Sequence, residues 1–77
     1  MNKVRRAALE TIQNKLEEAR DDLETIKDEE QEYADNMPES LQSSEKHDNA
    51  EQAVSCLDVA ISSLEEAINS ISSSIEN

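Results

Sequence analysis

From Val54 to Ile75 the chain reads VSCLDVAISSLEEAINSISSSI, and its branched apolar residues fall at Val54, Leu57, Ile61, Leu64, Ile68, Ile71 and Ile75. The steps alternate three and four, which is the spacing that lays side chains along one seam of a helix. The first half carries the same rhythm in Leu9, Ile12, Leu16, Ala19, Leu23 and Ile26. Between the two seams stands the only proline, Pro38, and the chain has no glycine. Proline disfavours a helical residue before it, so Asp35, Asn36, Met37 and Pro38 read as the end of the first helix. Pro38 to Leu41 reads as a single turn, and Ser43 or Ser44 can cap the second helix by accepting an orphan amide proton.

These signals predict one all-α domain over residues 1–77: helix one over about 3–34, a turn over about 35–43 and helix two over about 44–75. Laid antiparallel, the seams pair Ile26 with Val54, Leu23 with Leu57, Ala19 with Ile61, Leu16 with Leu64, Ile12 with Ile68 and Leu9 with Ile71. All six pairs are symmetric about Ser40, inside the turn that proline marks independently. The expected architecture is a coiled-coil-like antiparallel two-helix hairpin.

With 77 residues, one cysteine and one aromatic residue, the chain has few means of stabilising itself alone. Cys56 has no partner for a disulfide, and no cysteine and histidine grouping suits structural zinc. Self-association is the remaining device, and helix two offers a second stripe for it in Ala53, Cys56, Ala60, Ser63, Ala67, Ser70 and Ser74. Small side chains let helix backbones approach closely, so this stripe reads as a homodimer seam closing a four-helix bundle. The alternative is a solvated serine-rich face.

The opposite flank is acidic: Glu17 is set to face Glu65 and Glu24 to face Asp58, with Glu10 and Glu51 extending the line. The stripe is either merely solvated or kept to attract a basic surface. Net charge is −12, from 19 acids against 7 bases, which repels nucleic acid and anionic membranes and favours a cationic protein partner. No apolar stretch suits a membrane span or a signal peptide, so a cytoplasmic setting is expected.

Around the turn the acids thicken, with Glu29, Glu30, Glu32 and Asp35 close to Tyr33, Met37 and Leu41. Two readings stand here. Tyr33 closes the bundle opposite His47, with Glu30 opposite Ala50, or Tyr33, Met37 and Leu41 anchor a partner that the acids steer in. Catalysis is not expected: there is no Glu-x-x-His pair for a di-iron site, no glycine for an EF-hand loop, and no oxyanion hole for His47 and a serine. No cofactor or metal is called for.

The run Glu29-Glu30-Gln31-Glu32-Tyr33-Ala34-Asp35-Asn36-Met37-Pro38-Glu39-Ser40-Leu41-Gln42 resembles a family of small acidic helical proteins encoded mainly by phages, prophages and conjugative elements of Gram-positive bacteria. The chain departs from that pattern at Ser40, Ser43 and His47, where asparagine, glycine and tyrosine are usual. The resemblance implies a mobile-element setting in a bacterial host cytosol, and a protein that modifies or blocks a host system. Two functions follow as expectations. One is a non-enzymatic interaction module, in its sharper form an inhibitor competing with nucleic acid for a basic groove. The other is a structural adaptor, scaffold or chaperone subunit of a mobile-element machine, its acids serving only solubility.

Overall fold

The computed structural model describes all 77 residues, as two helices packed along their length with no strand. Helix α1 runs Lys3–Asp35 and helix α2 runs Glu45–Glu76, joined by a single 3-10 turn at Glu39–Leu41. The rod measures 60 × 14 × 13 Å between Cα extremes.

Each boundary has a chemical cause. Asn2 caps α1, its Oδ1 accepting the Arg5 amide at 2.8 Å, a cap that the sequence reading passed over. At the other end the Asn36 amide still reaches the Glu32 carbonyl at 2.9 Å, and Met37 closes onto Ala34 at 3.3 Å. Pro38 has no amide to continue the ladder and stands extended at φ −56°, ψ 148°. The Leu41 amide then bonds back to the Pro38 carbonyl at 2.8 Å, and the Gln42 side chain holds the Met37 carbonyl at 3.1 Å. Of the two serines expected to cap α2, Ser44 does so. Its hydroxyl accepts the His47 amide at 3.3 Å and donates to the Leu41 carbonyl at 2.5 Å. The connection needs no left-handed residue, which is how a chain without glycine can fold back.

The α2 side of the interface lies on the expected seam. His47, Ala50, Val54, Ile61 and Ile68 are buried, with Leu57, Leu64, Ile71 and Ile75 half-buried between and beyond them. On α1 the leucines Leu9, Leu16 and Leu23 are half-buried as the seam requires, but the positions between them differ from expectation. Ile12 and Ile26 are about half exposed, at 45% and 51%, and Ala19 is exposed. Gln13, Arg20 and Lys27 take their places at the interface, each half-buried. The helix is thus turned by part of one residue about its axis.

The cause is polar. The Gln13 amide nitrogen donates to the Ile68 carbonyl at 3.3 Å and to the Ser72 hydroxyl, and the Lys27 ammonium meets the Asp58 carboxylate at 2.9 Å. Long amphipathic side chains cover apolar surface with their stems while their heads reach polar groups on the neighbouring helix. The pairs Ile12/Ile68, Ala19/Ile61 and Ile26/Val54 therefore do not form the core layers expected of them.

Candidate functional site

Counting along each helix from its buried seam divides the hairpin into two unlike edges. In an antiparallel pair, the residue following one core position flanks its counterpart on the facing helix, and the residue preceding the other core position does the same on the far side. The first edge holds Glu10, Glu17 and Glu24 of α1 beside Glu51, Asp58 and Glu65 of α2. All six carboxylates expected to form the acidic stripe fall along it. Glu17 is half-buried and the other five are exposed.

Within this edge Lys27 reaches across to Asp58, so that carboxylate is paired with a cation. The hydrogen bond to Asp58, and next that carboxylate's charge, raise the Lys27 ammonium above the ordinary lysine range. One cation is thereby spent inside the stripe, and Glu10, Glu17, Glu24 and Glu65 make no ion pair within the chain. Glu51 lies 3.6 Å from Nε2 of His47.

The second edge holds Ile12, Ala19, Ile26 and Tyr33 of α1 beside Ala53, Ala60, Ala67 and Ser74 of α2. Ala53 and Ala60 are half-buried, whereas Cys56, Ser63, Ala67, Ser70 and Ser74 are exposed. The α2 stripe read as a dimer seam thus lies beside a row of larger apolar groups on α1. That row was misplaced by the sequence reading, which put Ile12, Ala19 and Ile26 in the core.

At the tip, Tyr33 is 46% exposed, and Ala34 and Ala50 fill the interface there, at 0% and 3% exposure. Tyr33 lines an open cleft of about 500 Å³ with Asn36, Met37, Pro38, Leu41, Ser44 and Lys46, its accessible wall overwhelmingly apolar. Met37 forms the buried floor, and Leu41 is about half exposed. The three tip residues expected to act together therefore do line one cavity. Of the tip acids, Glu29, Glu32 and Asp35 are exposed and Glu30 is half-buried. The Asp35 carboxylate accepts from the Gln31 amide at 2.9 Å. From Asp28 to Glu51 there are nine acids, Asp28, Glu29, Glu30, Glu32, Asp35, Glu39, Glu45, Asp48 and Glu51, against Lys46 alone.

The one cluster with metal-like spacing is His47, Asp48 and Glu51, whose donor atoms lie within 4.8 Å of one another. It sits on the first turn of α2, where the helix dipole opposes a cation and favours these carboxylates for its own sake. No helix is long and apolar enough to cross a membrane. Comparison with protein-family models, curated proteins and solved structures gives no match.

Proposed function

We propose that the protein is a non-enzymatic acidic interaction module that binds a basic protein surface, in the manner of an inhibitor competing with nucleic acid for a cationic groove. The observation that supports this most is the one-signed edge: Glu10, Glu17, Glu24, Glu51, Asp58 and Glu65 share one side of a narrow, straight rod. Residues a heptad apart on one helix are about 10 Å apart along the axis, so two such rows give charges at several-ångström intervals on a rigid support. A surface kept only for solubility mixes both signs, whereas on this edge Lys27, on Asp58, is the only lysine or arginine paired with one of the six carboxylates. Aligned carboxylates would steer a cationic partner in and make binding fall steeply with salt. A mobile-element origin fits such a role, since host nucleases and repressors carry basic grooves.

The adaptor reading rests on the tip cleft instead, where Tyr33, Met37 and Leu41 offer an apolar seat. Two sets of substitutions separate the readings. Converting Glu17, Glu24 and Glu65 to Gln and Asp58 to Asn should abolish capture of basic proteins from a bacterial host lysate at low salt. Tyr33→Ala with Leu41→Ala should leave that capture intact. The reverse outcome would transfer the function to the tip, and recovery of only neutral or acidic proteins by the unaltered chain would count against both the groove and the mimicry.

A further inference from the structure

The chain exposes 5571 Å² at a mass of 8.6 kDa. A compact folded monomer of this mass exposes about 4,700 Å² by the usual scaling, so each hairpin shows roughly 900 Å² too much. One partner of a standard protein interface buries about 800 Å². The excess is what one closed face would remove. The acidic edge cannot be that face for a second copy, because like carboxylates would meet, whereas Ile12, Ala19, Ile26 and Tyr33 beside Ala53, Ala60 and Ala67 carry no charge.

Orientation follows from charge. The tip carries the nine acids against Lys46, while Lys3, Arg5 and Arg6 stand at the other end and make no ion pair within the chain. Two copies with their tips together would set acids against acids; tip to tail, each tip meets the other's cations.

We propose that two copies of this chain pack tip to tail through the uncharged edge, α1 against α1 and α2 against α2. An antiparallel α1 pair that sets Ile12 against the partner's Tyr33 also sets Ala19 against the partner's Ile26. Arg5, one heptad before Ile12 on the same edge, then stands beyond the C-terminal end of the partner's α1, at its acidic tip. The α2 helices then meet through Ala53, Ala60 and Ala67, where small side chains allow close approach. Helix α2 contributes three apolar positions per heptad to the four-helix bundle and α1 two, its third being taken by Gln13, Arg20 and Lys27. Both acidic edges remain on the outside, so the assembly is separate from the partner-binding reading and does not depend on it.

The test uses the full chain with Cys56→Ser and Ser40→Cys, spin-labelled at the tip. Sedimentation should give twice the chain mass, and the tip labels should lie about 40–50 Å apart, from the rise of α1 between the two-fold axis and Asp35 plus the turn beyond it. Arg5→Glu should weaken the dimer about 10-fold, as should Glu39→Arg, and the two together should recover most of the loss. A monomer at micromolar concentration would overturn the proposal. So would a dimer whose tips lie within about 30 Å of each other, or charge reversals whose effects simply add.

Discussion

Two isoleucines in the same seam pattern give the most direct test of how the helices face each other. Ile61 is 6% exposed and Ile26 is 51% exposed. Full burial of an isoleucine side chain is worth about 1.5–3 kcal/mol in transfer, and truncation of a buried one adds a cavity term, so Ile61→Ala should cost about 2–5 kcal/mol. Ile26 has only half its surface covered within the hairpin and leaves no enclosed cavity when cut back. Its transfer loss scales to about 0.7–1.5 kcal/mol. Urea unfolding followed by helical circular dichroism reads both, repeated across a hundredfold range of protein concentration. The Ile61 loss should hold at every concentration. The Ile26 loss should be small in dilute solution and grow as the protein is concentrated, because its other half is covered by a second copy. Equal losses at all concentrations would place Ile26 in the intramolecular core and refute both the helix rotation and the face built on it.

Three further outcomes are expected. Ser44→Ala removes the hydroxyl that caps α2 and ties it to Leu41, and should lower stability by about 1 kcal/mol, with Ser43→Ala near neutral, both read by urea midpoint. Ala34→Leu inserts a large side chain where exposure is 0% and should cost about 1–3 kcal/mol, a larger loss than the same change at exposed Ala19. Added sodium chloride should raise the thermal midpoint of the hairpin, since a net charge of −12 is concentrated at the tip and along one edge; a midpoint falling between 0.02 and 0.5 M salt would show that attraction outweighs that repulsion.

The hairpin was legible because two independent signals agreed. Alternation of three and four marked both helices, and Pro38 with Asn36 marked the turn in a chain with no glycine to blur it. The facing of α1 was not legible by the same means. Leu9, Leu16 and Leu23 belong equally to a seam with Ile12, Ala19 and Ile26 or to one with Gln13, Arg20 and Lys27, and hydrophobicity alone selects the first. What selects the second is partnership across the gap: Gln13 with the Ile68 carbonyl and Ser72, Lys27 with Asp58. A signal did exist in the sequence, since Lys27 and Arg20 stand one heptad apart on a helix that faces a row of acids, but a count of apolar positions gives it no weight. The exposure of Tyr33 follows from the same rotation, since it continues the line of Ile12, Ala19 and Ile26 at heptad spacing and lines the cleft.

That rotation changes what the apolar residues of α1 are for. Had Ile12, Ala19 and Ile26 closed the hairpin core, the uncharged edge would consist of small residues on α2 alone, which a solvated face explains equally well. Placed outside, they form a row of large apolar groups one heptad apart, ending at Tyr33 and the cleft beyond it. Burying Gln13, Arg20 and Lys27 at the inner seam forfeits the stronger packing that Ile12, Ala19 and Ile26 would have given there, and a hairpin selected for stability as a monomer gains nothing from the exchange. The exchange is useful when an outer apolar face must be kept for another chain while cross-helix polar bonds hold the hairpin in one rotation. Replacing Gln13 and Lys27 together by leucine removes the bonds that hold α1 turned and rewards burial of the inner seam. The variant should therefore be more stable in urea at low concentration.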